Sequence, residues 1–261
     1  MRDHFWQDML MLAADMKSKH YVAALRTEFE AEGARSDEVA QLARLAATVG
    51  LDVDLKIGGA EAVRDLQEAA NLGVSRIIAP MIESPYALQK FIQAAKRVFR
   101  NRLHQVKLLI NIETITGCHA LSDMLTMPEI AHLFGIVIGR VDLAGSMGLD
   151  RDAINSSAVL TAALNIAKLA KEKGLAVVMG GAITKEAFSF LKAFPTEQLD
   201  YLDTRKIALH YPSTDDQLSE AIQLATRFEW LWLQNKRHYY QALSIEDDNR
   251  IEMLTERFQC V

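Results

Sequence analysis

Residues 108–148 read LLINIETITGCHALSDMLTMPEIAHLFGIVIGRVDLAGSMG, and the order of residue types in this stretch decides the fold. Two apolar runs, 108–112 and 134–141, each end at a carboxylate, Glu113 and Asp142. Runs this short and this rich in Ile, Leu and Val have the length of buried strands, and the amphipathic segment between them has the length of a helix. Strand, acid, helix, strand, acid is the unit of a parallel sheet. All its strands point one way, so both acids emerge at the same edge. Two carboxylates converging there can hold a hard divalent cation. The plainer reading is that each acid caps the helix behind it.

The same alternation continues on both sides. Apolar or alternating runs at 21–29, 51–57, 74–82, 175–179 and 200–209 read as further strands. Helical patterns fall at 2–18, 36–49, 61–71, from Pro85 through Ala95, at 158–173, 185–194 and 215–240. In 51–57 the alternation is strict, with Leu51, Val53, Leu55 and Ile57 on one face and Asp52, Asp54 and Lys56 on the other. No linker, repeat or change of composition divides the chain. It reads as one α/β domain, with a barrel over 20–210, a C-terminal helix over 215–240 and a tail over 241–261. Seven strands in 261 residues fit a (β/α)8 TIM barrel of parallel strands, typically about 250 residues long, with one strand unrecognised. An open doubly wound sheet is the runner-up, and its GxGxxG signature is missing.

Composition narrows the partners. A net charge of −5 with scattered basic residues speaks against nucleic acid. No apolar run reaches the ~20 residues that span a bilayer. The N-terminal segment carries acids within its apolar part, unlike a signal peptide. Cys118 and Cys260 are the only cysteines, too few for a disulfide framework, and a reducing cytoplasmic location is expected.

In a barrel the chemistry sits at the C-terminal ends of the strands. The polar residues expected there are Glu28, Glu30, Lys56, Glu83, Asn111, Glu113, Arg140, Asp142, and Arg205 or Lys206. Charges gathered in that way must be paired or metal-bound, because an unpaired buried charge is costly. Oxygen ligands such as Glu113 and Asp142 suit Mg2+ or Mn2+, which take one or two protein carboxylates and leave the remaining positions to water and substrate. The histidines His119, His132 and His210 stand apart from one another, so no zinc ligand set emerges. The glycines around Ser146 and Met147 read either as an ordinary turn or as a backbone cradle for a carboxylate. No G-x-S-x-G elbow is present.

At INIET, at IGRVDLAGSMG, and at APMIES with the preceding GGAEAVRDLQEAANLGV, the chain resembles the pyruvate-dependent class II aldolases and the citrate lyase β-subunit relatives. Both belong to the phosphoenolpyruvate/pyruvate-binding barrel superfamily. The resemblance spans about Thr27 to Ile183. It implies that Glu113 and Asp142 bind Mg2+ or Mn2+, and that the metal holds the carboxylate and carbonyl of a 2-oxo acid and stabilises its enolate. It further implies that amides near Gly145, Ser146 and Met147 take the substrate carboxylate, and that the last helix exchanges within a homo-oligomer, a trimer or hexamer.

Three departures stand out. Lys56 occupies the position of an arginine and would act as a point charge on the oxyanion. Ala31 stands where the aldolases have a histidine after the acidic pair matching Glu28 and Glu30, so Glu30, Glu32 or a water must serve as the base. Arg140 and Val141 replace the usual residues before the metal aspartate, which makes Arg140 and Arg205 expected contacts for a second acidic group of the substrate. The reading is a metal-dependent carbon–carbon lyase or aldolase acting on pyruvate or oxaloacetate units. Its competitors are a citrate-lyase-like acyl-CoA lyase, which needs a basic groove for the CoA phosphates, and a non-catalytic relative that binds an acidic metabolite.

Overall fold

The computed structural model describes residues 4–195 and 197–259. Arg2, assigned above to the first helix, and Cys260 lie outside the described residues. Eight strands close a barrel in chain order. They are β1 (Val22–Glu28), β2 (Asp52–Lys56), β3 (Arg76–Ala79), β4 (Lys107–Ile112), β5 (Leu133–Gly139), β6 (Ala176–Gly180), β7 (Tyr201–Asp203) and β8 (Ile207–His210). Strands β1 to β7 pair in parallel, whereas β8 runs antiparallel to both β7 and β1.

The expectation of one last strand over 200–209 is therefore corrected. YLDTRKIAL is a hairpin, and its returning arm is the eighth strand. Thr204 closes the turn. Its Oγ1 donates to the Ile207 carbonyl at 2.8 Å and accepts from the Ile207 N–H at 3.1 Å. Because this turn uses neither Gly nor Pro, the sequence gives no mark of it.

The helices are α1 (His4–Ser18), α2 (Ser36–Val49), α3 (Val63–Asn71), α4 (Pro85–Phe99), α5 (Ile115–Met124), α6 (Arg140–Ser146), α7 (Ser157–Glu172), α8 (Phe188–Lys192) and α9 (Asp215–Gln259). Short polar side chains start them where expected. Ser84 accepts from the Ala87 N–H at 3.1 Å with Pro85 behind it, and Thr114 accepts from the Gly117 N–H at 3.0 Å; a cap of this kind stabilises a helix by about 1 kcal/mol. Two outcomes differ from the sequence reading. The AGSMG stretch lies at the end of a short helix, α6, rather than in a glycine turn, and α9 continues past 240 to Gln259 as one helix.

Period two along the strands separates two apolar regions. Leu25, Leu55, Ile77, Ile110, Ile136 and Val177 face outward into the core beneath the helices. A small plug of Ile78, Leu109, Val137 and Val178 fills part of the barrel interior. Beside it lie Phe134 and Tyr201 and a set of charged side chains. Asp54 pairs with Arg76, and Arg26 Nε lies 3.2 Å from Asp203, all of them buried. The Arg76 guanidinium also lies over the rings of Phe134 and Tyr201 at 5.6 and 5.3 Å. The alternation in β2 thus has the sense opposite to a simple amphipathic strand: its apolar face meets the helices and its charged face fills the barrel.

Candidate active site

A cavity of about 560 Å³ opens at the C-terminal ends of the strands. Its walls bring together Glu28, Glu30, Lys56, Asn111, Glu113, Asp142 and Arg205, residues drawn from sequence positions as much as 177 apart. Parallel winding causes this convergence, since each strand delivers its last residues to the same rim.

Glu113 is the most firmly held of them. One carboxylate oxygen accepts from the Met81 N–H at 3.1 Å, and the other accepts from Asn111 Nδ2 at 2.7 Å. Lys56 Nζ approaches to 3.5 Å. Gly139 creates the necessary space, because a Cβ there would lie 2.5 Å from Glu113 Oε2 and 2.8 Å from Glu113 Cβ. Burial pushes the Glu113 carboxyl above its usual pKa, against the pull of Lys56 and of the two donors, and the nearby Asp142 adds to the rise. Glu113 is not a helix cap; Thr114 has that role, and its hydroxyl donates to Glu83 at 2.6 Å. Glu83 is thereby occupied at the start of α5 and does not line the cavity.

Asp142 stands exposed in the first turn of α6, where no side chain caps the helix. Lys56 Nζ lies 2.6 Å from Glu30. Glu28 accepts from Arg205 at 3.1 Å, and Arg26 lies 3.7 Å from it. Glu32, the other carboxylate weighed as a base, is bound to Lys206 and lies outside the cavity lining.

Two groups of expected residues are placed differently. Arg140 is fully buried and does not line the cavity. Its guanidinium donates to the carbonyls of Gly180, Gly181 and Ala182 and to Asn155 Oδ1, and it lies 4.9 Å from the Phe190 ring centroid. With no carboxylate beside it, burial lowers its pKa to about 10. It ties the loop after β6 to the segment before α7, and the expected contact with substrate is corrected to this. Gly145, Ser146 and Met147 offer no open cradle. The Met147 N–H bonds back to the Leu143 and Ala144 carbonyls, and Ser146 Oγ donates to the Leu143 carbonyl while accepting from the Ile115 N–H. At the other end of α6, behind Gly139, the first-turn N–H groups have no intrahelical acceptor, and Gly181 packs over those of Arg140 and Val141.

The sequence reading did not find Arg151, the loop Gly180–Thr184, or Thr226 and Glu229 of α9, all of which line the cavity. The Gly-Gly pair at 180–181 was a partial signal. At φ +84° Gly181 lies so close over α6 that a Cβ there would be 2.9 Å from the Val141 nitrogen. Nothing in the periodicity of α9 marks Glu229. Among the described residues no three His, Cys, Asp or Glu side chains form a ready metal cluster.

An eight-stranded α/β barrel whose strand ends surround a charged cavity defines the class of barrel enzymes that work at that face. The chain belongs to the HpcH/HpaI aldolase/citrate lyase family, whose model matches residues 24–189, and members of this family are lyases and aldolases. Among solved structures it is similar to an HpcH/HpaI aldolase from Desulfitobacterium hafniense DCB-2 (13% identity, TM-score 0.62, covering 75% of this chain and 80% of that one). It is also similar to the citrate synthase SbnG (17%, 0.60, 76% and 82%) and to a family protein from Burkholderia cenocepacia J2315 (20%, 0.59, 87% and 90%). At these identities the likeness is one of fold. A comparison with curated proteins finds no match.

Proposed function

We propose that the protein is a divalent-metal-dependent carbon–carbon lyase or aldolase acting on a small 2-oxo acid. The observation that carries this reading is that Glu113 and Asp142, from successive strand ends, line one cavity. The donor set fits Mg2+ or Mn2+ in kind: both are carboxylates, and each Glu113 oxygen has spare lone pairs beyond its one neutral hydrogen bond. The cavity walls carry six carboxyl groups, Glu28, Glu30, Glu113, Asp142, Asp203 and Glu229, against the four cations Arg26, Lys56, Arg151 and Arg205.

A bound ion supplies Lewis acidity toward the 2-oxo acid. The chain's own residues do the rest. Lys56, held by Glu30 at 2.6 Å, places its ammonium where negative charge develops on the former carbonyl oxygen. In the cleavage direction a base removes the proton of the 4-hydroxyl group, the C3–C4 bond breaks, and C3 is protonated as the aldehyde leaves; the proposal gives the role of that base to Glu30, whose carboxylate lines the cavity. Arg151 has no ion pair among the described residues. It therefore replaces Arg140 as the candidate contact for a second acidic group, beside Arg205. The exposed Ile245 and Ile251 on the far part of α9 support a homo-oligomer. No described helix is long and apolar enough to cross a membrane.

The test is release of pyruvate or oxaloacetate from a panel of 4-hydroxy-2-oxo acids with Mn2+, with EDTA and in Glu113→Gln. Loss of release with EDTA and with Glu113→Gln supports the reading. Full activity in Glu113→Gln removes it.

A further inference from the structure

A second groove, of about 390 Å³, lies between α3 and the end of α4 and shares no lining residue with the cavity. Helix α4 begins after β3, at the barrel mouth, and returns to deliver residues 100–105 to the start of β4. The groove is therefore at the N-terminal face of the barrel, opposite the catalytic rim. Its lining contains Arg97, Arg100 and Arg102, the amides of Gln67, Asn71 and Asn101, and an apolar strip of Val63, Ala70, Val98 and Phe99. It contains no carboxylate, although the chain as a whole is acidic. None of the three arginine side chains takes part in an ion pair or a hydrogen bond among the described residues, and Arg97, Arg100 and Arg102 are all exposed.

Part of this charge has an ordinary explanation. Arg97 lies in the last turn of α4, where a cation is favoured by the helix dipole. Arg100 and Arg102 lie beyond that helix. Arg100 is also held at φ +49°, ψ −121°, a region in which glycine is at ease and a side chain is strained. A strained non-glycine residue whose charged group is left unpaired beside two more is the kind of feature that persists at binding sites.

We propose that this groove binds a small molecule carrying clustered phosphates, a diphosphate or triphosphate, with the three guanidinium groups on the phosphate oxygens. Planar forked donors suit phosphate geometry, and the neutral amides of Gln67, Asn71 and Asn101 supply further donors without opposing charge. The apolar strip gives the non-phosphate part of an ester a surface to rest on. Because the groove is on the face opposite the cavity, it is not the CoA-phosphate groove that an acyl-CoA lyase would need at its catalytic rim. The inference is independent of the reaction proposed above.

The test is calorimetric titration of the full chain with pyrophosphate, tripolyphosphate and ATP in ~0.15 M NaCl, a concentration that screens loose surface attraction. The expected result is saturable 1:1 binding that weakens at least tenfold in Arg102→Gln and in Arg100→Gly. The glycine variant relieves the strained backbone, so it should unfold at the same temperature as the wild type or higher while losing affinity, which separates a binding role from a folding one. Equal binding of tripolyphosphate and ATP assigns recognition to the phosphates alone, whereas tighter ATP brings in the apolar strip; both support the proposal. The absence of saturable binding at 1 mM (roughly the weak limit of about −4 kcal/mol), binding indifferent to both substitutions, or much tighter binding of a nucleic-acid duplex each overturns it.

Discussion

Gly139→Ala should disable the proposed metal pair while removing no charged group. Gly139 has φ −89° and ψ 93°, which alanine accepts, so the substitution brings no backbone penalty. Its cost is contact. The new Cβ would lie 2.5 Å from Glu113 Oε2 and 2.8 Å from Glu113 Cβ, where ordinary contact begins at 3.4 Å, so Glu113 or β5 must retreat by about 0.9 Å at the closer atom. A change of rotamer cannot relieve the clash with Cβ, and moving the carboxylate breaks its bonds from Met81 and Asn111. Overpacking of this kind costs about 1–3 kcal/mol, and a metal ligand displaced by close to an ångström should weaken Mn2+ binding by at least about tenfold. Urea unfolding followed by circular dichroism measures the first effect, and Mn2+ titration followed by electron paramagnetic resonance measures the second. Wild-type stability within 0.5 kcal/mol, roughly the background of a neutral surface change, together with unchanged Mn2+ affinity, would refute the geometric reasoning.

Mn2+ at a hundredfold excess over its dissociation constant should raise the unfolding free energy by about 2.7 kcal/mol, a gain abolished in both Glu113→Gln and Asp142→Asn when measured by thermal unfolding. Burial raises the Asp54 pKa from 3.8 to about 7 despite its pairing with Arg76. The folded state therefore holds a proton that the unfolded state has released, and this stabilising contribution, complete below pH ~4, is lost as pH rises through about 7. Asp203 is shifted in the same direction, chiefly by burial; the fall in stability between pH 4 and 7 should be shallower in Asp54→Asn, and urea titrations at several pH values giving equal slopes would contradict it. Arg140→Met strips donors from the carbonyls of Gly180, Gly181 and Ala182; Gly180 is buried while Gly181 and Ala182 are half-buried on the cavity wall, within reach of water, so it should cost about 1–3 kcal/mol, the penalty of one buried carbonyl left unpaired. Its effect on KM should be the same for substrates with and without a second carboxylate, and a selective effect on the diacid would restore Arg140 as a substrate contact.

The positions the sequence placed well are those governed by period and chain direction. Alternation in β2 put Asp54 and Lys56 on one face, and the strand ends put Glu113 and Asp142 at one rim, because both rules act over a few residues. Arg140 was misplaced for a different reason. It follows a strand end, as a site residue should, but an arginine gives no sign in sequence of whether it will find a carboxylate or three backbone carbonyls. Arg151 and Glu229 were missed because they reach the cavity from a short 3-10 segment and from a long helix, neither of which has a periodicity that points toward it.

The amino-acid sequence alone thus determined the parallel β–α winding, the family and the acidic pair, since each depends on local pattern and on a motif contained within about forty residues. Tertiary structure decided the rest. It split YLDTRKIAL into a hairpin that closes the barrel, turned the charged face of β2 inward onto Arg76, and assigned the arginines to their partners. The physical reason is that strand closure and charge pairing depend on groups brought together from distant parts of the chain, and no local pattern encodes which of them will meet.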